Sequence, residues 1–169
     1  MATTYADVVV FTRYHSFSGR VTLRDQRLSD MMNDRRETVM QISNAAIARL
    51  SAPSKVVNQH KIAVLGKEHV SLIFEISDQP TASLKRPYAF TLKQAFDVFL
   101  VVESLEVRGV MHTTGNFDVL ELHRLVAVSG DKFMPVTEST VTLPGMDFQK
   151  RSGVLVNVNH IHSISKLES

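Results

Sequence analysis

The sequence predicts an all-β protein made of two related halves, each a small β-barrel or a sandwich-like unit, produced by an internal duplication. Three observations predict this class. Short apolar runs rich in branched residues alternate with Gly, Asn, Asp or Pro. Helical periodicity is scarce. The same pattern recurs in the second part of the chain, roughly 90 residues later.

The strands follow from the apolar runs in each half. In the first half the predicted strands are 8–12, 18–23, 37–42, 61–65 and 70–76, with a long connection at 48–60. In the second half they are 97–102, 105–111, 125–128, 140–143, 154–158 and 160–164. Two short helices are candidates, at 27–32 and 90–96, and pieces of that length need tertiary packing to persist.

The duplication is predicted by three matched segments in the same order. Residues 17–21 resemble 107–111, 39–47 resemble 133–141, and 62–73 resemble 153–164. This alignment makes three pairs of residues equivalent, which are Gly19 with Gly109, Ile42 with Val136 and Val70 with Ile161. Equivalent residues are expected to face equivalent cores.

A linker separates the two halves. Residues 77–96 contain Pro80 and Pro87, small polar residues and the helix candidate 90–96. The predicted domains are therefore a first barrel at 1–76 and a second at 97–169. The first carries ten basic and seven acidic side chains, and the second six and nine, so their net charges are +3 and −3.

Composition removes several classes of function. The 169 residues include no cysteine, which excludes disulfides, thiolate metal sites and a cysteine nucleophile. No apolar stretch approaches membrane-spanning length and the N-terminus lacks the pattern of a secretory signal, so we expect a cytoplasmic protein with no membrane partner. Phosphate-binding, dinucleotide-binding and nucleophile-elbow motifs are absent from the sequence.

Seven histidines raise the question of a metal site. His160 and His162 lie two apart on a predicted strand and would face the same side, but no third ligand is indicated. We expect no catalytic residues, no metal and no cofactor. A hydrolase site assembled from distant residues is the weakest of the three functional alternatives.

The order of elements in the first half resembles that of Sm-like small β-barrels, and SH3-like barrels share the pattern. A strand through Gly19 precedes a loop with Asp30 and Asn33, followed by the apolar strand 39–45 and the strand–turn–strand segment 62–73. The resemblance covers 14–76 and, more faintly, 104–166, where the acidic-and-Asn loop is absent. It implies a bent five-stranded sheet, edge-to-edge ring assembly and often single-stranded RNA at the inner loops.

Residues 20–36 are the densest polar segment, with five arginines. Two interpretations compete. The segment is a nucleic-acid-binding loop that uses Arg27, Asp30, Asn33, Arg35 and Arg36. Alternatively, its apolar side chains Leu28, Met31 and Met32 plug one end of the first barrel. The interleaved aspartates and the lack of stacking aromatic side chains favour the plug.

The sequence therefore predicts a non-catalytic assembly or adaptor module that acts through strand edges and the surface between the halves. A homo-oligomer is the expected partner arrangement, with 62–65 and 154–158 at the contacts and the opposite charges favouring head-to-tail association. A further protein partner is not identified. The alternative is an Sm-like binder of single-stranded RNA or DNA, although nucleic acid is not the favoured partner.

Overall fold

The computed structural model describes residues 3–76, 93–114, 118–128, 130–146 and 149–168. In this part of the chain the predicted all-β class is confirmed, as one open antiparallel sheet of ten strands. The strands are β1 (Tyr5–Phe11), β2 (His15–Thr22), β3 (Val39–Arg49), β4 (Ala52–Gly66), β5 (Leu72–Glu75), β6 (Lys93–Val102), β7 (Leu105–Thr114), β8 (Phe133–Thr142), β9 (Gln149–Asn157) and β10 (Ile161–Lys166). The described residues also form two helices, α1 (Leu28–Asn33) and α2 (Val119–Val128), and two 3-10 turns, Lys67–His69 and Val158–His160.

The sheet consists of two runs of strands with the same neighbour order. In the first run the order is β5-β1-β2-β3-β4, and in the second it is β10-β6-β7-β8-β9. The runs join where β5 pairs with β9, with Leu72 opposite Val156 and Ile73 opposite Leu155. We call this pairing the seam. It leaves β4 and β10 as the two edges of the sheet.

The registers within the two runs also correspond. Val8 lies opposite Gly19 in the first run, and Val98 lies opposite Gly109 in the second. Each glycine sits beside an irregularity in the pairing with the next strand. The three residue pairs matched in the sequence lie in like elements, since Gly19 and Gly109 are in β2 and β7, Ile42 and Val136 are in β3 and β8, and Val70 and Ile161 follow the two 3-10 turns.

Two apolar cores form, and each takes residues from both runs. The larger is built mainly from β6–β9 but includes Phe11, Leu50, Leu72 and Phe74 of the first run. The smaller is built mainly from β1–β3 and α1 but includes Phe133 and Leu155 of the second. Side chains from each run therefore pack in the core of the other run, and burial of apolar surface depends on the whole sheet.

Three sequence expectations are wrong. Residues 125–128 form the end of α2 because Asp118 and Glu121 cap its first turn reciprocally, with the Glu121 amide donating to Asp118 Oδ1 at 2.8 Å and the Asp118 amide to Glu121 Oε2 at 3.3 Å. The helix candidate 90–96 is a strand from Lys93 onward, and its first three residues lie outside the described part. The connection 48–60 belongs almost wholly to the β3–β4 hairpin, whose backbone ladder stabilises even polar residues as strand.

The linker prediction falls mostly on residues 77–92, outside the described residues. The barrel- or sandwich-like shape of the halves stays a prediction. Among the described residues, no helix has both the length and the apolar character needed to cross a membrane.

We predict that Gly109→Ala lowers the free energy of unfolding by about 1 to 3 kcal/mol, because the added methyl has no space. A Cβ there would lie 2.6 Å from Val136 Cγ1 and 2.7 Å from the Thr137 carbonyl oxygen. Urea denaturation measures the change. Gly66→Ala is the matched control, since its closest contact would be the flexible His69 ring at 3.1 Å. Equal stability of the two variants would contradict the prediction.

Candidate interaction site

The helix α1 places the apolar side chains of the segment 20–36 inside the protein. Leu28, Met31 and Met32 are 4%, 6% and 2% exposed and pack in the smaller core with Ile73 and Phe133. The burial expected for a plug is therefore present. It leaves the polar residues of the segment as the candidates for binding.

Asp30 and Arg27 form a hydrogen bond at the start of α1. The Arg27 amide donates to Asp30 Oδ2 at 3.3 Å, which satisfies one of the amides that a helix N-terminus leaves without an internal acceptor. Arg27 itself is half-buried.

Asn33 fastens α1 to the second run of strands. Its Nδ2 donates to the Phe133 carbonyl at 3.0 Å, and its Oδ1 accepts from the Phe133 amide at 2.8 Å. Arg35 reaches the same region, where its guanidinium donates to the Gly130 carbonyl. These two residues of the predicted binding loop therefore hold the chain together across the two runs.

Arg36 is paired with Asp34. The guanidinium donates to both carboxylate oxygens, at 3.0 Å and 2.9 Å. Hydrogen bonds from Arg36 lower the pKa of the Asp34 carboxyl to about 2. The Arg27 amide and the side chains of Asn33, Arg35 and Arg36 each form hydrogen bonds within the chain, and Asn33 and Arg35 line one concave surface together.

Lys67 was not singled out from the sequence, although it is only 5% exposed. Its ammonium donates to the carbonyl oxygens of Met31 and Asp34, which lie at the end of α1. Burial lowers the pKa of Lys67, and the nearby Glu37 and Asp34 carboxylates oppose that change. A lysine beside a strand end looks like a surface residue in sequence, so no local signal points to this role.

Three polar side chains hold the seam, and we call them the seam clamp: Ser71, Asn157 and His160. His160 Nε2 donates to the Glu68 carbonyl oxygen at 2.7 Å, and His160 Nδ1 lies 2.9 Å from the Ser71 hydroxyl oxygen. The side-chain Nδ2 of Asn157 donates to the Val70 carbonyl at 2.8 Å, and the backbone amide of Asn157 donates to the Ser71 carbonyl at 3.0 Å.

The seam clamp contains a serine and a histidine, yet its geometry does not suit nucleophilic catalysis. Glu103 Oε1 lies 3.7 Å from His160 Nδ1, the same nitrogen that faces Ser71. A nucleophile–base–acid relay needs the hydroxyl and the carboxylate on different ring nitrogens. Ser71 is also completely buried, so a substrate has no approach to its oxygen.

The predicted strand through both His160 and His162 is wrong. His160 ends a 3-10 turn and His162 lies in β10, so the two do not share a strand. Within the described ranges, no group of three or more His, Asp or Glu side chains is arranged to hold a metal ion.

The edge strand β4 exposes branched apolar side chains. Val56, Val57, Ile62 and Val64 are 49%, 47%, 57% and 66% exposed. The predicted contact segment 62–65 lies on this edge. The other predicted segment, 154–158, does not provide an edge, because β9 pairs with β8 on one side and with β5 on the other. The second edge is β10, and no sequence signal separated it from β9.

Comparison with known proteins gives no further indication of function. No protein-family model, no curated protein and no solved structure matches the chain. The resemblance to Sm-like barrels stays a prediction. The geometry and chemistry of the chain itself therefore carry the functional interpretation.

We predict that Asn33→Ala lowers the free energy of unfolding by about 2 kcal/mol, because it leaves the amide and carbonyl of the buried Phe133 without their partners. The control Arg36→Ala removes an exposed ion pair and should change stability by about 0.5 kcal/mol or less. Chemical denaturation compares the two. An unchanged midpoint for Asn33→Ala would return Asn33 to the role of a ligand-binding residue.

Proposed function

We propose that this protein is a non-catalytic assembly subunit that binds further copies of itself, head to tail, through its two edge strands. We further infer that the chain contains two copies of one five-stranded unit, β1–β5 and β6–β10. The shared neighbour order supports this duplication. So do the two glycines, which approach Ile42 and Val136 at the same place in each run.

The observation that carries the assembly proposal is which strands pair at the seam. The seam joins the fifth strand of the first unit, β5, to the fourth strand of the second, β9. The edges are then the fourth strand of the first unit, β4, and the fifth strand of the second, β10. A second copy is able to present its β10 to β4 in the same way that β5 meets β9.

Exposure along the edge supports the same conclusion. Counting back from the two 3-10 turns, Val64 of β4 stands where Leu155 stands in β9. Leu155 is 5% exposed and Val64 is 66% exposed. Since an unpaired strand with branched apolar side chains is a template for pairing, β4 is suited to receive another strand.

Charge favours the head-to-tail direction. The first 76 residues carry a net charge of +3 and residues 97–169 carry −3. Contact between β4 and β10 brings the first unit of one copy beside the second unit of the next, so the opposite charges attract. A contact between different surfaces closes into a ring or continues as a filament, depending on its rotation.

The alternative function is binding of single-stranded RNA or DNA by the segment 20–36. It has less support, because Asn33, Arg35 and Arg36 already form hydrogen bonds within the chain. Binding to a labelled single strand that weakens steeply with salt would support this alternative.

We predict that the protein at micromolar concentration has a mass that is a multiple of 18.9 kDa by light scattering, and that Val64→Lys shifts it toward the monomer. The lysine places a charge on the apolar part of the edge, which discourages pairing. Val57→Lys is the matched control, because it makes the same change on the same strand, further from the 3-10 turn than β10 reaches. A monomer in both low and moderate salt, or equal masses for the two variants, would refute the proposal.

A further inference from the structure

We infer that the contact between copies repeats the register of the seam but lacks the seam clamp, so that copies associate reversibly while the seam stays closed. This inference rests on the proposed function and names the residues that set the strength of the contact. The partner is a second copy of this chain. The strength of the contact between copies is set by Gly66, His69 and His162.

The register follows from the seam. There Leu72 lies opposite Val156, and Ile73 lies opposite Leu155. Counting from the two 3-10 turns, β10 offers Ser163 and Ile164 at the places of Leu72 and Ile73, and β4 offers Leu65 and Val64 at the places of Val156 and Leu155. Ser163 of one copy therefore lies opposite Leu65 of the next, and Ile164 lies opposite Val64.

The first missing part of the clamp is the asparagine. Asn157 caps its 3-10 turn by accepting from the Asn159 amide at 3.0 Å, while its Nδ2 donates across the seam to Val70. Gly66 occupies the same position before the other 3-10 turn. Its backbone angles, φ −65° and ψ 125°, match the −71° and 115° of Asn157. Gly66 has no side chain to donate to the Ile161 carbonyl of the next copy.

The second missing part is the hydroxyl–imidazole pair. His69 stands at the place of His160, and His162 stands at the place of Ser71. Two imidazoles therefore meet between copies where the seam has one imidazole and one small hydroxyl. A ring does not fit in the space of a hydroxyl, so one of the two must turn outward. In the single chain both side chains are well exposed, at 70% and 57%.

The backbone ladder and the apolar pair Val64–Ile164 then hold the copies together without the buried side-chain hydrogen bonds of the seam. Such hydrogen bonds add modest net stability each, and their loss is felt as faster dissociation. The two strands of the seam, β5 and β9, also belong to the same chain. Assembly is therefore expected to depend on protein concentration. The fold of the single chain is not expected to depend on it.

The first test converts the contact between copies into a second seam. The double variant G66N/H162S restores the asparagine donor and the small hydroxyl, and we expect its dissociation constant to fall about tenfold or more by sedimentation. The backbone at Gly66 suits asparagine, and the nearest obstacle to a Cβ is the His69 ring. The control G66A/H162A also removes the His162 ring but adds no hydrogen-bonding group, so it should tighten the contact less than G66N/H162S does. Equal dissociation constants for the two double variants would overturn the missing-clamp inference.

The second test reads the register by cysteine cross-linking, which is clean because the chain contains no cysteine. V64C and I164C chains, purified separately, mixed and oxidised, should give a two-chain species on a non-reducing gel. V64C mixed with S163C should not, because neighbouring residues of a strand point to opposite faces.

The outcomes separate the two claims. Natural chains that assemble while V64C and I164C fail to cross-link would overturn the register and leave the proposed function standing. A natural chain that is monomeric while G66N/H162S assembles would overturn the proposed function and leave the missing clamp as the reason why the contact does not form. Chains that stay monomeric with both substitutions would overturn the inference and the proposed function together.

Discussion

The antiparallel pairing of β5 with β9 is the constraint on which the rest of the structure depends. Only two residue pairs of this ladder align, yet both apolar cores are completed across it. Phe74 of the first run packs in the larger core, and Phe133 of the second packs in the smaller. Opening the seam would expose apolar surface in both cores at once, so the two runs are expected to unfold as one cooperative unit.

A second connection lies beside the seam, at the C-terminal end of α1. Asn33 forms two hydrogen bonds with the Phe133 backbone, and the Lys67 ammonium donates to the Met31 carbonyl oxygen of the helix. A six-residue helix is unstable in isolation, so its burial and these polar contacts are what maintain it. The polar residues near α1 therefore stabilise the fold, and only those of their polar groups that remain exposed are available to a ligand.

The two edges of the sheet differ in chemistry from the seam that they resemble in topology. Exposed valines and isoleucine line β4, whereas β10 contains two isoleucines among serine, histidine and lysine residues. Side-chain hydrogen bonds and burial accompany strand pairing at the seam, but the edges have the backbone ladder and limited apolar contact to offer. A permanent junction within the chain and a reversible one between copies are consistent with this difference.

The local pattern of the sequence determined the all-β class, most strand positions, the short helix α1 and the burial of Leu28, Met31 and Met32, because these depend on residues close together in the chain. A local signal for α2 was also present in Asp118 and Glu121. Only the tertiary structure decided that Asn33 forms hydrogen bonds with the Phe133 backbone and that Lys67 is buried. The same is true of the position of β9 inside the sheet and of β10 at its edge. Those outcomes depend on which distant strands pair, and strand pairing is chosen by the burial of the complete sheet, which no short stretch of sequence encodes.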